Sequence, residues 1–224
     1  MNAAGTGSGA GAGPIRIVVV DDQTMVRGAL ATLLSLEPDI EACGQAGNGA
    51  EALSLLTSLV ASAPGGAAAP VDVVLLDVEM PVMDGITACA AIRSKFPKVR
   101  VLMLTTFGRP GYVQRSLDAG ATGFVVKDAP SAQLADAVRR VASGLKVLDP
   151  TLALETLERG ACPLTDREVE VLRAVAGGGT IADIASELGL SQGTVRNHVS
   201  SAMLKTSART RAEAVRIATE NGWL

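Results

Sequence analysis

The sequence predicts an α/β domain built on a parallel sheet, followed by a smaller all-α domain. Three observations carry that expectation. Between Ile15 and Val141, short β-branched runs alternate five times with segments of helical spacing, the pattern of a parallel sheet with helices on both faces. Hydrophobic residues make up 48% of the 224 residues but aromatics only 2%, so the core must come from Ala, Val, Leu and Ile, which suits helices packed on parallel strands. Beyond Thr165 the strand pattern is absent and the chain reads as helices alone.

Taken in order, Ile15–Val20 is a buried strand ending at Asp21-Asp22. Val26 to Leu36 is helical, with Val26, Leu30, Leu33 and Leu34 as its stripe, and Pro38 stops it. Ile40–Ala46 is a weaker strand, and Glu51 to Val60 is a helix with Leu53, Leu56 and Val60 on one face. Residues 62–70 are a loop by composition. Val71 to Leu76 is a second strong strand, delivering Asp77; Ile86 to Phe96 is helical; Val99 to Leu104 is a strand that delivers Thr105. Tyr112 to Ala119 is a short helix, Thr122 to Val126 a strand ending at Lys127, and Ala132 to Val141 a helix.

This gives a tail over 1–14, an α/β domain over 15–143, a linker over 144–160 within a mixed segment holding a short helix, and a helical domain over 161–224. The Gly- and Ala-rich tail lacks the charged start and apolar stretch of a signal peptide and reads as disordered. No run approaches the apolar length of a membrane span, so no membrane partner is expected. Cys43, Cys89 and Cys162 form no CxxC pair and the single His198 has no cysteine nearby, which excludes a zinc-finger cage; an odd cysteine count fits a reducing cytoplasm, and Cys43 and Cys89 read as small core residues. Net charge is −3, yet Ser191 to Arg216 holds Arg196, Lys205, Arg209, Arg211 and Arg216 against Glu213 alone, which fits either a DNA-reading module or a solvated helix face.

Ligands of open α/β sheets bind outside the carboxyl ends of the strands. Asp21, Asp22, Asp77, Thr105 and Lys127 all fall there. Clustered carboxylates repel unless a cation neutralises them, and an all-oxygen set suits Mg²⁺. Lys127 can hold a phosphoryl oxygen, and a carboxylate can act as nucleophile to form an acyl phosphate. Asp77, ending the central strand, is the expected nucleophile; Asp22, and less directly Asp21, would hold the metal with the backbone carbonyl of Glu79. The plainer alternative is that these aspartates terminate strands and cap helices. A dehalogenase-type phosphatase would need a D-x-D pattern after the first strand, where this chain has Asp21-Asp22-Gln23. Gly44, Gly47 and Gly49 lack the spacing of a dinucleotide loop, and Gly177-Gly178-Gly179 reads as a turn.

Val19-Val20-Asp21-Asp22, Leu75-Leu76-Asp77-Val78-Glu79-Met80-Pro81-Val82-Met83-Asp84-Gly85, Leu104-Thr105-Thr106 and Gly123-Phe124-Val125-Val126-Lys127 together resemble a bacterial response-regulator receiver domain over roughly residues 14–130. The resemblance implies a flavodoxin-like (βα)5 fold, phosphorylation of Asp77 by a sensor histidine kinase, and Mg²⁺ at Asp21, Asp22 and Asp77. It also implies that Thr105 swings to the phosphate and that Phe124 changes rotamer. Many receivers carry Tyr at the Phe124 position; without a hydroxyl, a switch here must use ring packing.

In the helical part, Thr165-Asp-Arg-Glu168 is a capping box opening the helix to Ala176, with Val169, Leu172, Val175 and Ala176 as its apolar face. Thr180 caps a helix from Ile181 to Leu188, Gly189 stops it, and Ser191 caps the next, Thr194 to Lys205, in a helix-turn-helix layout. Val195, Val199 and Met203 would face the core; Gln192, Thr194, Arg196, Asn197 and Ser200 would face outward for a DNA groove, with Lys205 and Arg209 on phosphates. Helix pairs of this kind also occur in bundles that bind nothing, and His198 alone suits packing or a phosphate contact. Ala214, Ile217 and Ala218 stripe the last helix, Arg211 to Asn221.

Leu164 to Leu172, Ile184-Ala185, Leu190-Ser191, Thr194-Val195-Arg196-Asn197-His198-Val199 and Arg211-Ala212-Glu213-Ala214 resemble the LuxR-type helix-turn-helix of NarL/FixJ response regulators, over roughly 161–224. The match departs at Lys205-Thr206-Ser207-Ala208-Arg209, where the wider family usually has Lys-Leu-Gly. That variant, with Thr105 to Gly111 and the terminal Asn221-Gly222-Trp223-Leu224, is similar to the DesR-like branch. The resemblance implies a cytoplasmic transcription factor that dimerises on phosphorylation, through the last helix among other contacts, and binds double-stranded DNA. Its only chemistry would be self-phosphorylation and autodephosphorylation at Asp77.

Overall fold

The computed structural model describes residues 13–62, 71–106, 110–150, 152–153 and 162–224. The expected tail over 1–12, loop residues 63–70, residues 107–109 and much of the expected linker (151 and 154–160) lie outside the described residues, as does 161.

The first domain runs β1 (Ile15–Val20), α1 (Thr24–Ser35), β2 (Ile40–Ala46), α2 (Gly49–Ala61), β3 (Val73–Asp77), α3 (Gly85–Lys95), β4 (Arg100–Thr105), α4 (Pro110–Asp118), β5 (Gly123–Val126), α5 (Ser131–Ala142) and β6 (Val147–Leu148). The strands form one sheet in the order β2-β1-β3-β4-β5-β6, every pair parallel. Because successive side chains alternate faces, each strand feeds two cores. Val18, Val20, Val74, Leu76, Val101, Met103 and Phe124 pack beneath α2, α3 and α4 through Leu56, Ile92 and Val113. Ile17, Val19, Val73, Leu75, Leu102, Leu104 and Val125 pack beneath α1 and α5 through Leu34, Leu134 and Val138. Every residue of β3 is buried, as a central strand requires.

Two expectations change. The sheet has a sixth strand: Val147 pairs with Gly123, the Asp149 N–H donates to the Phe124 carbonyl at 3.1 Å, and Leu152 is buried in the α2–α4 core, so the start of the expected linker belongs to this domain. The helix stripes also shift. Leu33 and Val60 are 45% and 44% exposed, because α1 buries Leu30, Ala31 and Leu34, and α2 buries Ala52 and Leu56. Cys89 is buried and Cys43 half-buried; the described cysteines are all free thiols.

The second domain holds α6 (Asp166–Ala176), α7 (Ile181–Glu187), α8 (Gln192–Lys205) and α9 (Arg211–Glu220). Capping boxes at Thr165/Glu168 and Thr180/Asp183 open α6 and α7. Gly189 carries φ +63°, the left-handed turn between α7 and α8. Val171, Val175, Ile184, Ala185, Val195 and Val199 form one core; Leu164, Leu172, Ala202, Ala214 and Ala218, with Trp223, form the other. Val171 takes the buried place expected of Ala176, which is exposed.

Candidate functional site

The carboxyl ends of β1, β3 and β5 bring three of the expected residues into contact. Lys127 Nζ lies 2.7 Å from Asp21 Oδ2 and 2.9 Å from Asp77 Oδ2, with both aspartates buried. Burial pushes the Asp77 carboxyl up to about 6, against the hydrogen bond and charge of Lys127, while the Asp21 charge adds to the rise. Burial disfavours the Lys127 ammonium, but hydrogen bonds and charge from Asp21 and Asp77 outweigh it and raise its pKa. Asp22 is exposed at the rim, and one oxygen each of Asp21, Asp22 and Asp77 lies within 4.8 Å of the others. Asp21 Oδ2 is buried, with the Lys127 ammonium at 2.7 Å as its partner. Three clustered carboxylates, balanced by a single ammonium, offer the hard oxygen donors that fit Mg²⁺.

Backbone geometry fixes Asp77. The Val78 N–H donates to the Leu104 carbonyl at 3.1 Å, and the Gly85 N–H to the Val78 carbonyl at 2.9 Å. A Cβ on Gly85 would lie 1.8 Å from the Asp77 carbonyl oxygen, so only glycine lets α3 start this close to the acceptor. Between them the loop puts Val82, 88% exposed, at φ +68°, a strained setting for a β-branched residue. Asp21 is held by its own turn: Oδ1 accepts from the Gln23 N–H at 2.9 Å, and its carbonyl from Arg27 at 2.5 Å.

Thr105 ends β4 and is buried; its carbonyl accepts from the Lys127 N–H at 2.7 Å, tying the hydroxyl-bearing residue to the lysine strand. Phe124 is fully buried in the same core as Val113 of α4, so its ring is in place to couple sheet and helix. Glu79 is exposed and its carboxylate accepts from the Tyr112 hydroxyl at 2.7 Å, an α4 contact that sequence spacing does not reveal.

In the second domain, Ser191 caps α8 by accepting from the Thr194 N–H at 3.1 Å. Val195 and Val199 are buried as expected, while Gln192, Arg196, Asn197, Ser200 and Arg209 are exposed. Thr194 is half-buried, its hydroxyl 2.8 Å from that of Ser191, so it belongs to the cap as much as to the outward face. Lys205, expected on a phosphate, is committed inward: Nζ lies 2.7 Å from the buried Glu168, which also accepts from the Ser201 hydroxyl at 2.6 Å. Sequence reading saw Glu168 only as a cap partner; nothing in its spacing announces the link to α8.

Comparison with known proteins gives the same division of the chain. Residues 17–139 match the response regulator receiver domain, and residues 162–218 match the bacterial regulatory proteins of the luxR family. The chain is 43% identical to the transcriptional regulatory protein YvfU of Bacillus subtilis (strain 168), over 94% of this chain and 100% of that protein. It is 40% identical to the transcriptional regulatory protein DesR of the same organism, over 93% of this chain and 98% of that one. Among solved structures, the response regulator ChrA of a heme-sensing two-component system superposes with a TM-score of 0.54 at 29% identity, over 95% of this chain and all of that one. The chain belongs to the response regulators that join a receiver to a LuxR-type helix-turn-helix, and it is a transcription factor of that family.

Proposed function

We propose that Asp77 is the phosphoacceptor and that its phosphorylation controls DNA binding by α8. The observation that carries this is the convergence of Asp77, Lys127, Asp21 and Asp22 at one sheet edge, with Thr105 on the adjacent strand. An Asp77 carboxylate oxygen attacks the phosphorus of a phosphohistidine on a sensor histidine kinase; the P–N bond breaks and an acyl phosphate forms. Lys127 takes a phosphoryl oxygen, exchanging one of its two carboxylate contacts for it, and Thr105 closes on another. Asp21, Asp22, Asp77 and the Glu79 carbonyl would hold Mg²⁺, which when bound supplies charge neutralisation for the transfer. The same set later admits water, so autodephosphorylation sets the lifetime of the signal and no other turnover is assigned.

Phe124 follows Thr105 through ring packing. The phosphorylated protein dimerises and presents two α8 helices to half-sites about one DNA turn apart. Arg196 and Asn197 are suited to read G and A, Gln192, Thr194 and Ser200 to flank them, and Arg209 to hold a phosphate. Lys205 retains a phosphate role only if it leaves Glu168. A DNA target places this activity in the cytoplasm; among the described residues no helix is long and apolar enough to cross a membrane. The first functional unit runs from residue 15 through β6 at Val147–Leu148, and the second falls at 161–224.

Intact-mass analysis after incubation with phosphoramidate and Mg²⁺ tests the acceptor. The wild type is expected to gain about 80 Da, one phosphoryl group, and Asp77→Asn nothing. Equal gain in both, or none in either, would remove Asp77 from the role.

A further inference from the structure

At the end of the sheet away from Asp77, the end of α3, the start of β4 and the turns before β3, before β5 and after α5 close around an open cavity of about 560 Å³. Arg100 opens β4 and Thr105 ends it, so at about 3.3 Å per residue the cavity stands roughly 16 Å from the acidic pocket. Its wall carries three cations, Arg93, Lys98 and Arg100, together with Thr122. The carboxylate there, Asp72, is partly committed: Oδ2 accepts from the Arg16 N–H at 2.8 Å.

The two arginines are seated rather than loose. Arg93 Nη1 donates to the Pro97 carbonyl at 2.9 Å and to the Val99 carbonyl at 2.6 Å, while its Nε and Nη2 make no hydrogen bond among the described residues. Its stem lies against Gly120, where a Cβ would stand 3.1 Å from Cγ; Arg100 lies against Gly144, where a Cβ would stand 3.3 Å from Nη2. Both glycines take positive φ, +92° and +88°, so a side chain at either would be strained as well as crowded. Arg100 is half-buried and Lys98 exposed, and neither side chain makes a hydrogen bond or ion pair among the described residues. Three cations gathered with no counter-charge beyond Asp72 repel one another, and an anion placed among them removes that repulsion.

We infer that this cavity is a binding site for a soluble oligophosphate, a small molecule bearing at least two linked phosphoryl groups. Guanidinium forks match pairs of phosphate oxygens, Lys98 adds a point charge, and the Thr122 hydroxyl can donate. The volume falls among those of small-ligand sites, roughly 300–1,000 Å³, and is larger than a single phosphate fills. A concave wall drawn from five segments fits a compact ligand better than the backbone of a duplex. The site is independent of the acceptor reading, because it lies at the opposite end of the sheet.

Isothermal titration of the full chain with sodium pyrophosphate, without Mg²⁺ and at constant ionic strength, tests this beside orthophosphate and a duplex of random sequence. The amide resonances of Gly120 and Gly144 in NMR spectra locate the site. The expected result is one pyrophosphate per chain, bound more tightly than orthophosphate, with both glycine resonances moving on titration. Arg100→Gln and Lys98→Gln should each weaken it about tenfold, the loss of one charge-assisted hydrogen bond, whereas Asp77→Asn and Arg209→Ala leave pyrophosphate binding unchanged. Circular dichroism checks the fold of each variant, and Lys98→Gln, at an exposed position, decides the matter if Arg100→Gln does not fold. No pyrophosphate binding in the wild type would overturn the site. So would affinity that is lost in Asp77→Asn or Arg209→Ala but kept in Lys98→Gln, which would put the anion at the acidic pocket or beside α8. Duplex binding that weakens in Lys98→Gln and that pyrophosphate does not displace would make this surface a nucleic-acid contact and overturn the small-ligand site.

Discussion

Glu168 shows how one side chain can hold the second domain together. It is buried, it closes the capping box of α6 by accepting from the Thr165 N–H at 2.7 Å, and it anchors Ser201 and Lys205 of α8. Burial pushes its carboxyl up, but the hydrogen bonds from Lys205, Ser201 and Thr165 win and hold it at about 2. A carboxyl whose folded value lies below its unfolded one stabilises the fold in full above the unfolded value, and loses that contribution as pH falls toward the folded one. Glu168→Gln is therefore expected to lower the stability of the DNA-binding domain by about 3 kcal/mol at neutral pH. In urea unfolding followed by Trp223 fluorescence, the gap between wild type and variant should close between about pH 4.5 and 2; a gap independent of pH would mean the carboxylate charge is not what matters. The sequence displayed this residue as a cap only, because a capping box is a local pattern while the partner in α8 lies 37 positions away.

At the scale of elements, the turn after α8 carries a cost visible once the resemblance and the backbone are set side by side. Ser207 stands where the wider family usually has glycine, and it takes φ +54°. Thr206 stands where that family has leucine; it is buried, and its hydroxyl is satisfied by the Ala202 carbonyl at 2.8 Å. A side chain in the left-handed region costs roughly 1–2 kcal/mol, offset in part by the extra freedom glycine has when unfolded. Ser207→Gly is thus expected to stabilise the DNA-binding domain by about 0.5–1 kcal/mol, seen as a higher urea midpoint with unchanged slope. A lower midpoint would show that Ser207 contributes contacts beyond its backbone. The same scale separates what the chain displays from what it conceals. The acidic pocket was legible because strand ends are marked by abrupt changes from Val and Leu to Asp, Thr or Lys, and a parallel sheet gathers those ends at one edge. The sixth strand was not: Val147-Leu148 is two residues long, and its pairing with β5 is tertiary. Leu33 and Val60 were misplaced because several phases of helical spacing fit a Leu-rich segment, and the partner surface alone chooses among them.

For the whole molecule, charge decides how the protein meets DNA. The chain is acidic overall, at −3, so attraction must come from the cations on and around α8. Those are fewer than the sequence suggested. Lys205 is paired with Glu168, and Arg216 is paired with Glu220 at 2.7 Å. Arg196, Arg209 and Arg211 remain exposed and outside any ion pair found among the described residues. With Arg196 on a base, Arg209 and Arg211 leave two phosphate contacts per protomer and four in the proposed dimer. Each phosphate neutralised releases counterions and contributes about −0.9 to the slope of log K against log salt, so the phosphorylated protein is expected to show a slope near −4. Titrating a labelled operator across a range of potassium chloride measures this. A slope steeper than about −5 would mean that Lys205 leaves Glu168 for the DNA backbone in both protomers, and Glu168→Gln would then leave the slope steep while weakening the fold. A slope near −4 that falls to about −2 in Arg209→Ala would place that arginine on a phosphate and confine Lys205 to holding α8 against α6.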